Sequence, residues 1–162
     1  MSESSRGKEV LMSYKRELAV ILVVLVLAAM WLHSAFSVHY NLRLVSAQPY
    51  VSGNFTGLAL NFTLRNDGFY PLFVSAGMSL KDPETGEVIE NFSASLGLVK
   101  GRSDSYRILL LPLPPQTIEH LPPKLEVDMV GYYEAKLFWL PGIRVPLHKE
   151  FIAPVLNETW RG

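Results

Sequence analysis

The chain has 162 residues, which is the size of one domain with an appendage. Lys plus Arg and Asp plus Glu number 15 each, so the chain has no basic field that would attract nucleic acid. Cysteine is absent, which excludes disulfides, thiolate metal sites and a cysteine nucleophile.

The first predicted element is a membrane-spanning helix. From Leu18 to Phe36 the chain is apolar, apart from His33 and Ser34 near its end. Nineteen helical residues extend about 28 Å, close to the roughly 30 Å hydrocarbon thickness of a bilayer. The sequence therefore predicts a cytosolic tail over residues 1–17 and a signal anchor over residues 18–37 that contacts the lipid bilayer.

Flanking charges set the expected orientation. Four cations precede the apolar segment and one follows it closely: Arg6, Lys8, Lys15 and Arg16 before it, and Arg43 after it. By the positive-inside rule the N-terminus is cytosolic and the remainder is extracytoplasmic. Tyr14 on one side, and Trp31 with Tyr40 on the other, are expected at the two membrane interfaces.

Two other interpretations of this segment stay open. A buried helix of a soluble protein would normally carry a polar stripe, which is missing here. A cleaved secretory signal is the stronger rival, because the strictly apolar run over residues 18–32 still fits a signal peptide and Ala35-Phe36-Ser37 could serve as a cleavage site. The long charged N-terminal lead favours a retained anchor.

The chain from residue 38 onward predicts an all-β domain over residues 38–162. Leu58, Leu60, Phe62 and Leu64 alternate with polar or small residues, as expected for a half-buried strand. Similar alternation, or a weaker form of it, occurs over residues 38–44, 72–80, 92–98, 106–110, 125–129, 143–147 and 151–155. Gly, Pro and Asx turns separate these runs, and Pro112–Pro123 is expected to be a crossover loop with one helical turn at most. The expected fold is an antiparallel, immunoglobulin-like β-sandwich of about eight strands behind one transmembrane helix.

Four asparagines stand in the N-x-[ST] pattern of N-glycosylation acceptors: Asn54, Asn61, Asn91 and Asn157. Asn61 and Asn91 have the parity of outward-facing strand residues, so we expect them to be accessible. Glycosylation of these sites would agree with an exported domain, although asparagine also favours turns and solvent-exposed strand faces without being modified.

No catalytic motif is present. The four histidines, 33, 39, 120 and 148, lack His-x-His or His-Glu-x-x-His spacing, and no nucleophile elbow or phosphate-binding loop occurs. Glu126 and Asp128 are expected on the solvated face of a strand. The sequence therefore predicts neither an enzyme nor a cofactor, unless His120 or His148 meets carboxylates from distant parts of the chain.

An aromatic cluster is the candidate contact for a protein partner. Tyr132, Tyr133, Phe138 and Trp139 are close together in sequence. Most such residues pack in a core or at a sheet edge, and the functional alternative is an exposed patch that binds a partner.

The segment Leu60–Leu72 (LNFTLRNDGFYPL), the turn at Asp82–Glu87 and the run Gly142–Leu147 resemble the LEA14-like β-sandwich family over about residues 38–155. The chain departs from the family at Asn66-Asp67, where members typically show Asn-Pro. The resemblance implies an immunoglobulin-like sandwich with a stress or interaction role and no catalytic residues. In layout alone, a single helix followed by a cysteine-free β domain is also similar to accessory proteins of archaeal surface appendages, which would place it in an archaeal envelope.

These observations lead to three functional hypotheses. The first is a membrane-anchored, non-enzymatic interaction or scaffold module of the cell envelope, with an envelope or membrane-complex protein as its partner. The second is a carrier of lipid or another apolar ligand at the membrane surface. The third is a hydrolase or metalloenzyme with a dispersed site.

Overall fold

A computed structural model describes residues 3–135, 142–156, 158 and 160–161. It begins with the α-helix α1 (Glu3–Asn41), whose 39 residues extend roughly 58 Å. Within the described residues, one helix is long and apolar enough to cross a membrane, over Met12–Asn41. The predicted apolar N-terminal helix is confirmed at this level.

The strand predicted over residues 38–44 is wrong in its first four residues, which are helical. Strand alternation was expected from Val38, but α1 continues to Asn41 and the first strand starts at Arg43. Val38 and Leu42 are four residues apart, so they lie on one face of a helix as well as on one face of a strand. A pattern this short does not distinguish the two periods, and packing of Val38 in the core favours the helix.

Seven long strands and one two-residue strand follow: β1 (Arg43–Ser52), β2 (Phe55–Asn66), β3 (Leu72–Lys81), β4 (Val88–Val99), β5 (Ser103–Pro112), β6 (Lys124–Ala135), β7 (Ile143–Pro154) and β8 (Trp160–Arg161). One sheet has the order β5-β2-β1-β8 and the other β4-β3-β6-β7. Neighbouring strands pair antiparallel, except that β8 runs parallel to β1. The predicted antiparallel β domain behind an apolar helix is confirmed.

Most of the predicted strands lie inside observed ones. The predicted runs 143–147 and 151–155 belong mainly to a single strand, β7, which ends at Pro154. The proline-rich segment contains the five-residue helix α2 (Pro115–Glu119), in agreement with the predicted single helical turn. The turn residues therefore predicted the ends of the strands more accurately than the alternation of apolar residues predicted the end of α1.

The hydrophobic core lies between the two sheets. Leu58, Leu60, Phe62 and Leu64 of β2 are almost completely buried and pack in one cluster with inward-facing residues of β3 and β6. Burial of one such side chain stabilises the fold by about 1.5–3 kcal/mol. The same cluster includes three residues of α1, namely Trp31, Ala35 and Val38. The helix is therefore part of the folded domain.

Arg107 links the two sheets where their edge strands β4 and β5 meet. Its Nε donates to the carbonyl oxygen of Leu96 and its Nη2 to that of Leu98, both at 3.0 Å. These carbonyls belong to edge strand β4, where unpaired backbone groups can recruit another chain. Arg107 therefore occupies acceptors that would otherwise be open to pairing.

Candidate functional site at the helix and β-domain junction

The C-terminal part of α1 has two different faces. Trp31, Ala35 and Val38 form a buried face with the spacing of helical neighbours, and Leu42 just beyond the helix is also fully buried. The helix therefore begins to pack against the β domain at Trp31, which lies inside the segment predicted to cross the membrane. The spacing of residues 31, 35, 38 and 42 in the sequence was a signal for this docking.

Trp31 does not have its expected position. It was expected to lie at the membrane interface, but its side chain is only 4 % exposed because it packs in the core of the β domain. Leu32, Phe36 and Tyr40, which lie on the other side of the helix, are exposed. These three residues form a free apolar and aromatic row beside the docked face.

The β2–β3 loop, residues 67–71, contacts α1 at Ser34. The Ser34 hydroxyl accepts a hydrogen bond from the Tyr70 amide at 3.0 Å and donates to the carbonyl oxygen of Met30 at 3.3 Å. A Cβ atom at Gly68 would lie 2.0 Å from Ser34 Oγ and 2.5 Å from Ser34 Cα. Glycine is therefore needed at position 68 for the loop to approach the helix this closely.

Asp67 joins the same loop to the last turns of α1. Its backbone amide donates to Ser37 Oγ at 2.8 Å, and its carboxylate accepts from Asn41 Nδ2 at 3.3 Å. Arg65 Nε lies 2.6 Å from the carboxylate, and this hydrogen bond is the largest cause that lowers the pKa of Asp67. Proline, which the LEA14-like family typically shows here, has no amide hydrogen and could not donate to Ser37.

Lys149 of β7 binds the C-terminal end of α1. Its ammonium group donates to the carbonyl oxygens of His39 and Leu42, the latter at 2.8 Å. A cation is favourable at this end, because the last carbonyls of a helix lack intrahelical partners. Burial, and then the charge of Arg43, lower the pKa of Lys149.

Only Leu42 separates α1 from β1, so the junction has no linker. Tyr133 adds a further contact, because its hydroxyl lies 3.2 Å from Nδ1 of His39. Burial raises the pKa of Tyr133. The contacts of Ser34, Asp67 and Lys149 were not predicted from the sequence, since they depend on which residues the fold brings together.

The predicted partner patch is not supported as a whole. Tyr133 is a core residue, only 1 % exposed, and its inclusion in an exposed patch was wrong because β6 directs it inward. Tyr132 is partly exposed beneath the guanidinium of Arg144, which lies 4.5 Å from its ring centre. Phe138 and Trp139 lie outside the described residues.

The four predicted glycosylation sites have different environments. Asn54 lies in an exposed turn and Asn91 is exposed on β4. The expected accessibility of Asn61 is wrong: it is 4 % exposed, and its Nδ2 donates to Ser46 Oγ at 2.9 Å. Since β2 lies between β1 and β5, its outer-face residues are flanked on both sides. Asn157 lies outside the described residues, and modification of the sites stays a prediction.

One histidine meets carboxylates on the outer face of the second sheet. His148 Nε2 lies 3.3 Å from Asp128 Oδ1 and 3.9 Å from a Glu150 carboxylate oxygen. Ligand atoms of these three residues lie within 4.8 Å of one another, a spacing that could hold a cation. Lys81 already lies 3.4 Å from Asp128 and 3.8 Å from Glu126. We therefore interpret the group as an extension of the surface ion pairs that Lys81 forms with Asp128 and Glu126, in which Lys81 competes with any metal for Asp128.

His120 takes no part in this cluster. It is exposed, and its Nδ1 lies 2.8 Å from the carbonyl oxygen of Gln116. His33 is exposed on α1, and His39 contacts Tyr133. The convergence of histidine with carboxylates that the third hypothesis requires is therefore found at His148 and not at His120.

An exposed row of large side chains lies on the outer face of β5. It consists of Tyr106, Ile108 and Leu110. An open depression of about 470 Å³ adjoins it, with Arg43, Arg65 and Tyr106 in its wall. Asp104, 3.8 Å from Arg65, also lines the depression, so this face combines apolar surface with charges of both signs.

No family model matches the chain, and no curated protein matches it either. The chain is similar in structure to a structural genomics target, with 10 % identity over 72 % of this chain and 89 % of the other and a TM-score of 0.47. It is also similar to an ApaA-type protein from Bordetella pertussis, with 16 % identity over 70 % of this chain and 94 % of the other and a TM-score of 0.42. A protein from Archaeoglobus fulgidus is similar with 15 % identity over 70 % of this chain and 96 % of the other and a TM-score of 0.41. Likenesses this distant identify no function.

Proposed function

We propose that this protein is a single-pass membrane protein that holds a non-enzymatic interaction or scaffold module at a fixed position above the membrane. The observation that carries the proposal is the junction: an apolar helix of membrane-spanning length enters the core of the β domain with one residue, Leu42, between α1 and β1. A domain fixed in this way holds its surfaces at a defined height and angle, as a scaffold requires.

The finer parts of the proposal are an immunoglobulin-like sandwich and an extracytoplasmic location. Support for the first comes from the strand order, since β1, β2 and β5 belong to one sheet whereas β3, β4, β6 and β7 belong to the other. The chain thus crosses repeatedly between sheets, as in Greek-key sandwiches. Support for the second is the excess of cations before the apolar segment.

Retention of the helix is also part of the proposal. Cleavage after Ser37 would remove Trp31, Ser34 and Ala35, all of which are buried against the β domain. Exposure of the surface they cover would cost the domain several kilocalories per mole. The carrier alternative gains no support, because the described inward-facing side chains pack on one another in a single cluster.

Labelling in intact cells tests the topology. Because the chain has no native cysteine, single cysteines at Thr85 and Ser13 give clean reporters on opposite sides of the apolar segment. A membrane-impermeant maleimide should label the Thr85→Cys protein in intact cells and the Ser13→Cys protein only after lysis. The reverse pattern would overturn the extracytoplasmic location, and labelling of both in intact cells would overturn the anchor.

Photocrosslinking tests the scaffold role. A photoreactive residue at Ile108, on the exposed row of β5, should give one discrete crosslinked protein in native membranes. Ile152 is also exposed but lies on the outer face of the other sheet, so the same probe there is a matched control. Absence of any crosslink from Ile108, or equal products from both positions, would contradict a specific partner at this face.

A further inference from the structure

The β domain reaches the level of the membrane-spanning segment itself. A hydrocarbon layer of roughly 30 Å needs about 20 helical residues, so a span that begins at Leu18 ends near Ser37. Yet one face of α1 packs against the β domain from Trp31 onward, and Ser34 contacts the β2–β3 loop. The loop therefore lies beside the last turn of the span, at the height where hydrocarbon gives way to lipid headgroups.

Phe69 is the large apolar residue of this loop whose side chain faces solvent. It stands between Gly68 and Tyr70, both of which contact Ser34, but its own side chain is 53 % exposed. An exposed phenylalanine is unremarkable on most surfaces. Here it lies in a loop that packs on α1 at Ser34, and the exposed face of that helix carries Leu32 and Phe36, so Phe69 adds apolar surface at the level of the last turns of the span.

Arg102 in the turn between β4 and β5 lies over Phe69. Its guanidinium carbon is 3.8 Å from the centre of the Phe69 ring, and its amide donates to the Gly68 carbonyl oxygen at 2.8 Å. Arg102 has a φ of 51°, a left-handed conformation that is uncommon for a residue with a side chain. Asn66, fully buried, hydrogen-bonds to the Gly68 amide and the Tyr70 carbonyl and thereby fixes the loop that carries Phe69. An aromatic ring and a cation are thus held together in a defined arrangement.

We propose that Phe69 and Arg102 form a lipid-contacting tip, in which Phe69 enters the interfacial layer and Arg102 binds the phosphate of an anionic lipid headgroup. Aromatic rings are favoured at the interface, and arginine pairs well with phosphate oxygens. The occupant is the bilayer crossed by α1, since the tip lies on a loop that packs against the last turns of the span. This inference rests on the proposed anchor and adds a second membrane contact, which would set the tilt of the β domain.

Nitroxide depth measurements on the full chain in phosphatidylcholine–phosphatidylglycerol vesicles test the tip. Single cysteines at Leu22, Lys100 and Thr85 place the label in the apolar helix, beside the tip and in the β3–β4 turn. We expect the label at 22 to collide mainly with oxygen and the label at 85 with a water-soluble nickel chelate. The label at 100 should be at least about fivefold less accessible to the chelate than the label at 85.

Variants then assign the contact. In the Lys100→Cys background, Phe69→Ser or Arg102→Ser should raise chelate accessibility about fivefold. Phosphatidylcholine alone should give a smaller rise for the unsubstituted tip, because its headgroup keeps the phosphate but has no net negative charge. Phe55→Ser is the matched control, because Phe55 is similarly part-exposed but lies at the other end of β2, roughly 35–40 Å away. Melting temperatures of all variants report whether they fold.

The outcomes separate the two proposals. If the label at 22 lies in the bilayer while the label at 100 behaves like that at 85, the tip is overturned and the anchor stands. If the label at 22 is accessible to the chelate, the anchor itself fails. If folded Phe69→Ser and Arg102→Ser proteins leave the label at 100 shielded, then the shielding comes from α1 and not from these two side chains, which also overturns the tip.

Discussion

The substitution Gly68→Ala tests whether α1 is docked on the β domain. The added Cβ would meet Ser34 at 2.0 Å from Oγ and 2.5 Å from Cα, and the Cα cannot move without the helix. Overpacking of this kind costs about 1–3 kcal/mol, and we expect the upper end because the obstacle includes backbone. For a chain of this size that corresponds to a fall in melting temperature of about 6–12 °C.

Thermal unfolding of the full chain in detergent micelles, followed by circular dichroism at a wavelength dominated by the β domain, measures this effect. Gly77→Ala is the matched control, because a Cβ there would meet nothing closer than the Val130 carbonyl oxygen at 3.7 Å. The control should change stability by no more than about 0.5 kcal/mol. Ser34→Gly removes two of the three clashing atoms, so the double variant should recover about 1 kcal/mol of coupling free energy. Equal melting temperatures for Gly68→Ala and Gly77→Ala would refute the docked junction.

Three further predictions concern charged residues. The folded-state pKa of Asp67 is below its ordinary 3.8, so ionised Asp67 stabilises the folded protein fully above that value, and this stabilisation is lost as the pH falls through the folded-state pKa. The unfolding free energy of Asp67→Asn should therefore fall less steeply with pH below about pH 4. Identical acid unfolding profiles for the two proteins would contradict this. Lys149→Met leaves the carbonyl oxygens of His39 and Leu42 without their cation, so the unfolding free energy from chemical denaturation should fall by about 2–3 kcal/mol. Lys124 is exposed, and Lys124→Met should leave the unfolding free energy unchanged. Arg107→Leu frees two carbonyls on edge strand β4, so light scattering should show concentration-dependent association. Arg144 contacts Glu134 and binds no carbonyl of an edge strand among the described residues, so the Arg144→Leu protein should remain as dispersed as the native protein.

Residue patterns alone were sufficient for the long elements. The apolar run beginning at Leu18 has no polar face, so it must lie in lipid or in a protein core, and there a helix provides hydrogen-bond partners for its backbone. Alternation over residues 58–64 and the turn residues at 66–68 and 82–86 required strands with reversals between them. These features are local, so the sequence determines them without knowledge of the fold.

The site depended on tertiary structure. Alternation predicted a strand from Val38, but α1 continues to Asn41, because Trp31, Ala35 and Val38 pack on one helical face against the β domain. Asn61 has the parity of an exposed residue, but its position on a strand flanked by two others buries it. The partners of Asp67 and Lys149 lie 30 and 110 residues away along the chain, and such contacts exist only once the sheets have formed. Sequence thus determined that this chain has an apolar helix and a β domain, while long-range packing determined that the two are joined without a linker.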